Sequence, residues 1–131
     1  MNMPRRVVLN AALAFAVVPS LPALADEVLT AEEIKTMLTG NTILGTWNGD
    51  PYRQLFKANG ITFYAPKTSR SSRGEWRVNA ETNEYESWWE QSGWAGYQII
   101  RRDGNLYWTS KNTSEPQPFE VLAGDQLVWP Q

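Results

Sequence analysis

Between Glu84 and Trp94 the chain reads EYESWWEQSGW, with three tryptophans, a tyrosine and three glutamates in eleven residues. Indoles flanked by carboxylates can hold a cation through ring quadrupole and charge, or stack on a sugar ring. Which indoles are free to do so depends on strand parity. A loop over Ala80 to Asn83 pairs Arg77 with Glu86 and Arg73 with Glu90, so one face carries cross-strand ion pairs, each worth about 0–1 kcal/mol. The other face gathers Trp76, Val78, Tyr85 and Trp89, with Trp89 opposite Gly74, whose missing side chain leaves room for an indole. Trp88 falls on the charged face beside Glu75, and Trp94 lies beyond the next turn. These two, with Tyr97, are the candidate ligand-binding residues, on a shallow aromatic surface suited to a small molecule or a cell-wall glycan.

Other chemistry is sparse. The sequence has no cysteine and no histidine, which excludes thiol nucleophiles, Ser-His-Asp triads, His or Cys zinc sites and His-ligated haem. No catalytic residue, metal site or cofactor is assigned. Glu75, Glu84 and Glu86 are the material for a carboxylate pair of the glycosidase type, but Glu84 and Glu86 are alternate residues of one strand, and no cleft is indicated. Arg101 and Arg102, with Arg70 and Arg73, offer an anion site, although an arginine pair beside a tight turn more often guards a sheet edge. Asp50 and Asp103 belong to turns, where their side chains bond locally to backbone. Asn112 begins a three-residue glycosylation pattern, NTS.

The elements that must position these residues are mostly strands. The stretch TAEEIKTMLTG reads as one helix, with Thr30 as cap, Glu33 at the capping-box position and Gly40 at the end. Leu29, Ile34, Met37 and Leu38 form its apolar side. Downstream, short aromatic and β-branched runs alternate with turn residues roughly every ten positions, as in an antiparallel sandwich or barrel. Asn59-Gly60 predicts a hairpin with Phe56 opposite Phe63 and Leu55 opposite Tyr64. Asp103-Gly104 predicts Ile99 opposite Trp108 and Ile100 opposite Tyr107. A third hairpin is expected around Gly124-Asp125. Lys67 to Arg73, KTSRSSR, is a basic polar loop.

Residues 1–25 read as a cleaved secretory signal peptide: Arg5 and Arg6 precede the apolar run VVLNAALAFAVV, and Ala23 to Ala25 offer the small residues of a cleavage site. That run is shorter than the ~20 residues a membrane span requires. Removing 25 of 131 residues leaves a single β-rich domain over 26–131, carrying ten basic and fourteen acidic residues, a net charge of −4. That charge argues against nucleic acid and anionic membrane as partners. The expected location is periplasmic, with no membrane insertion after cleavage; the sequence leaves the oligomeric state open.

Two resemblances follow from these motifs. Gly45-Thr46-Trp47, after a short helix and opening the first strand, resembles the Gly-x-Trp entry of lipocalins and related calycins, and supports a barrel-like meander. LTAEEIKTMLTGNTILG, YRQLFKANGITFY, RGEWRV, SGW and RRDGNLYW, in that order, resemble the small exported alphaproteobacterial proteins of domain of unknown function family 995. Leu38 to Thr42, Asn59-Gly60 and Gly74 to Trp76 carry the match. That family often has a later cysteine pair; here Glu86 and Tyr97 stand near those places. The resemblance implies an exported β-rich domain of Gram-negative bacteria and transfers no catalytic residue.

Together these readings predict a mainly β (α+β) chain, an antiparallel meander forming a small calycin-like barrel or sandwich of six to eight strands with one N-terminal helix. The expected function is non-catalytic binding. The rival is a protein-interaction module, such as an inhibitor of a secreted hydrolase, engaging a periplasmic protein through Lys67, Arg70 and Arg73 and the arm Asp26 to Leu29.

Overall fold

Asp103 and Gly104 both adopt positive φ, 51° and 82°, the pair of left-handed residues that a two-residue hairpin matched to strand twist requires. The strands they join meet in the expected register, Ile99 opposite Trp108 and Ile100 opposite Tyr107. In the computed structural model, which describes residues 26–131, the same logic repeats around a closed ring. The expected signal peptide lies outside the described residues.

The chain runs β1 (Glu27–Val28), α1 (Ala31–Leu38), β2 (Thr42–Trp47), β3 (Asp50–Phe56), β4 (Ile61–Pro66), β5 (Ser72–Asn79), β6 (Glu84–Trp89), β7 (Gly93–Arg102), β8 (Asn105–Thr109) and β9 (Gln117–Leu122). Each strand from β2 to β9 pairs antiparallel with its sequence neighbour, and β9 returns to β2, with Gly45 opposite Phe119. The result is a closed eight-stranded antiparallel barrel with one helix; β1 adds a two-residue strand beside β7.

Two expected turns differ. The Asn59-Gly60 hairpin has a three-residue loop: Gly60 N donates to Lys57 O (3.1 Å), Lys57 N donates to Ile61 O (2.9 Å), and Gly60 has φ 87°. This is a tight turn closed by a left-handed glycine, one residue longer than expected. Phe56 therefore faces Thr62, and Leu55 faces Phe63. The third expected hairpin does not form. Gly124 turns the chain, but both edges of β9 are already paired, with β2 and β8. The tail instead crosses the outside of the barrel: Gln126 N donates to Thr42 Oγ1 (2.8 Å), Arg53 donates to Gln126 O (2.7 Å), and Trp129 Nε1 donates to Ala65 O (3.0 Å). A further tight turn, Asn48-Gly49, joins β2 to β3 and went unread in the sequence.

The helix closes one end of the barrel. Thr30 Oγ1 accepts from Glu33 N (3.2 Å) and Glu33 accepts in return from Thr30 N (2.9 Å), the capping box expected. Asn83, in the β5–β6 loop, accepts from Ala31 N (2.8 Å) and ties the helix start to the sheet. Ile34 and Leu38 are fully buried against Leu29, Ile43, Phe56, Trp76 and Tyr85. Burying each such side chain contributes roughly 1.5–3 kcal/mol. Gly74 leaves the room expected of it, for a Cβ there would lie 2.7 Å from the Trp89 ring.

Candidate functional site

At the end away from the helix the interior is not filled. A cavity of about 300 Å³ opens there, lined by Trp47 from β2, Tyr52 and Gln54 from β3, Tyr64 from β4, Tyr85, Ser87 and Trp89 from β6, Tyr97 from β7 and Trp108 from β8. Ser72 and Gln91 complete the rim. The volume is at the lower end of the range for small-molecule sites. These residues meet because each is an inward position of its strand. Tyr52, Gln54 and Phe56 alternate inward along β3, as do Tyr85, Ser87 and Trp89 along β6.

The cup is neutral and its rings are fixed by mutual contact. Trp47 packs edge-on to Tyr97 at 5.8 Å, and Tyr64 edge-on to Trp89 at 6.0 Å. Deeper, Tyr85 and Trp108 lie 4.8 Å apart. Trp108 Nε1 donates to Tyr52 Oη (3.1 Å), Trp89 Nε1 to Ser87 Oγ (3.2 Å), and Gln54 Nε2 to both Thr62 Oγ1 (2.9 Å) and Tyr85 Oη (3.2 Å). Burial pushes the phenols of Tyr52, Tyr85, Tyr64 and Tyr97 above the ordinary tyrosine range, with the Asp50 carboxylate adding to the effect at Tyr64. All four remain protonated at neutral pH. No lysine, arginine, aspartate or glutamate lines the cup.

The residues singled out in the sequence are divided by this geometry. Tyr97 lines the cup. Trp88 and Trp94 face each other on the outer wall, across β6 and β7. Trp94 is 41% exposed, whereas Trp88 is half-buried. The expected surface of Trp88, Trp94 and Tyr97 is therefore not one surface, because Tyr97 has the opposite parity. Nor is the Trp94 face free: the Arg77 guanidinium lies 3.7 Å from its ring centroid and is held by Glu86 at 2.6 Å.

Glu86 is a poor proton donor as well, since the hydrogen bond from Arg77 holds its carboxyl below the ordinary range. The general acid of a glycosidase needs the opposite shift. The Arg77–Glu86 pair forms as expected, but the β5–β6 ladder stops at Glu75 opposite Trp88, and no Arg73–Glu90 ion pair occurs among the described residues.

The basic residues also separate. Arg101 pairs with Glu27, and Arg102 with Asp26 at 2.7 Å, fastening β1 to β7. They are at the helix end, remote from Lys67 and Arg70 in the β4–β5 loop and from Arg73, which the structure places not in that loop but in β5 opposite Phe63, so the four arginines form no common anion site. Lys67, Arg70 and Arg73 are exposed, with Lys67 Nζ 5.6 Å from the Trp129 ring. The arm Asp26 to Leu29 is not a free arm: Leu29 is 1% exposed and its N–H donates to Ile99 O (2.9 Å).

Of the eleven residues that line the cup, sequence reasoning singled out Tyr97 alone as a site residue and read others, such as Tyr85 and Trp89, as core. The available signal was polarity out of place, Gln54 and Ser87 at inward positions between aromatic neighbours. No family model, curated protein or solved structure matches this chain.

Proposed function

We propose that this protein is a non-catalytic binding protein that holds a small molecule inside the open end of its barrel. The observation that carries this reading is the neutral aromatic cup of about 300 Å³. A closed ring of strands that served only as a wall would fill its interior at native density. Here a plug of apolar side chains occupies one end and the other is left open. The protein acts after export to the periplasm, as a chain beginning at Asp26, and N-terminal sequencing of the periplasmic form tests that directly.

Three indoles in the lining, Trp47, Trp89 and Trp108, make intrinsic fluorescence the natural readout. The purified chain, titrated with periplasmic small-molecule extract, is expected to show saturable quenching and a discrete mass increment in native mass spectrometry. Both are lost in Trp89→Ala and kept in Trp94→Ala. Loss in Trp94→Ala with retention in Trp89→Ala returns the site to the outer wall. A second reading has an observation of its own: Lys67, Arg70 and Arg73 are exposed and make no ion pair with any described residue. A protein partner held by these three side chains is lost when all three become serine, with ligand quenching unchanged.

A further inference from the structure

The polar groups of the cup have fixed hydrogen-bonding senses, and these restrict what can occupy it. Thr62 Oγ1 donates its only proton to Leu55 O (2.9 Å), so toward Gln54 it can only accept. The Gln54 amide must therefore present Nε2 to Thr62, and the second Nε2 proton goes to Tyr85 Oη. Both donors of Gln54 are spent, and what remains is the carbonyl oxygen Oε1. Gln54 is 6% exposed. Among the described residues the only sealed side-chain polar atom without a partner is Arg53 Nε, so Gln54 Oε1, which has no protein partner, opens into the cavity. It is a deep acceptor that faces the cup. Tyr52 has the complementary sense: its oxygen already accepts from Trp108 Nε1, which leaves its O–H to donate.

We infer that the cup selects a flat, uncharged ring carrying an N–H or O–H donor next to a carbonyl, as in a lactam, cyclic imide or hydroxy-substituted heteroaromatic. The donor meets Gln54 Oε1, the carbonyl takes a phenolic O–H, and the ring fills the space between indole and phenol walls. This rests on the cup being the ligand site. Two other occupants of aromatic sites fit less well. A quaternary ammonium ion suits an aromatic cage but has no N–H, and would leave Gln54 Oε1 desolvated and unpaired. A sugar brings many hydroxyl donors, each needing an acceptor, and the lining contains no carboxylate to supply them.

The test compares four probes on the intact 26–131 chain by tryptophan quenching: carbostyril, which has a lactam N–H; N-methylcarbostyril, in which that donor is blocked; naphthalene, with neither group; and phenyltrimethylammonium. Carbostyril is expected to bind about ten-fold more tightly than its N-methyl derivative, and this preference should shrink to near unity in Gln54→Met. The wild-type comparison needs no variant, so a misfolded Gln54→Met leaves it intact. Equal or tighter binding of N-methylcarbostyril, naphthalene or phenyltrimethylammonium overturns the ligand class while the cup remains a binding site. Absence of saturable binding by all four overturns the inference, and if the periplasmic extract also fails to quench, the binding function falls with it.

Discussion

Arg77, Glu86 and Trp94 illustrate how a residue's neighbours decide its use. Read singly, Trp94 is an exposed indole among carboxylates; in place, its face is covered by a guanidinium that Glu86 holds. The chemistry moves instead to residues that look like core. Tyr52 and Tyr85 are buried phenols whose ionisation is pushed upward. A group with a raised folded pKa contributes stability that is complete below its unfolded value, about 10 for tyrosine, and is lost as pH rises beyond it. Alkaline titration followed by phenolate absorbance is expected to leave these two of the five tyrosines silent until the barrel unfolds. Their appearance while circular dichroism is still native would contradict their burial. At Gly74 a Cβ would lie 2.5 Å from Trp88 O and 2.7 Å from the Trp89 ring. Gly74→Ala should therefore cost about 1–3 kcal/mol by overpacking and shift the Trp89 indole, so that ligand quenching weakens along with the urea midpoint.

At the level of elements, legibility followed turn chemistry. Asp103-Gly104 fixed its hairpin because both left-handed positions are written in residue types that tolerate them. Asn59-Gly60 carries the same dipeptide signal, yet there the glycine closes a three-residue loop; the two forms differ by one residue and so exchange the inward and outward sets. The observed register encloses Thr62 opposite Phe56 and turns Phe63 to the outer face, where the expected register would have put Phe63 inside. The helix was legible to its cap. Removing the capping hydroxyl in Thr30→Ala should cost about 1 kcal/mol, lowering Tm by about 4–8 °C in a domain of this size. An unchanged Tm would mean that the Asn83 bond to Ala31 N alone holds the helix start.

The whole molecule is where the sequence was least explicit. Alternation along each strand says which residues share a face, but the cup draws on seven strands, and only closure by β2 with β9 brings Trp47 around to Tyr97. Nothing local encodes that return; it is a contact between residues far apart in the chain. Closure also removes the free edges that β2 and β8 would otherwise present. A chain ending before Gln117 lacks β9 and is expected to aggregate, with light scattering rising where the full domain stays dispersed; a monodisperse truncated chain would show that closure is dispensable. Because α1 blocks one end, a molecule held in the cup as proposed would leave by the path it entered. Microscopic reversibility then links the two rates: a rim substitution that alters the passage without touching the bound molecule changes association and dissociation by the same factor. For the ligand proposed above, residence time would then be adjustable at the rim loops with affinity unchanged, whereas a change at the floor would alter both.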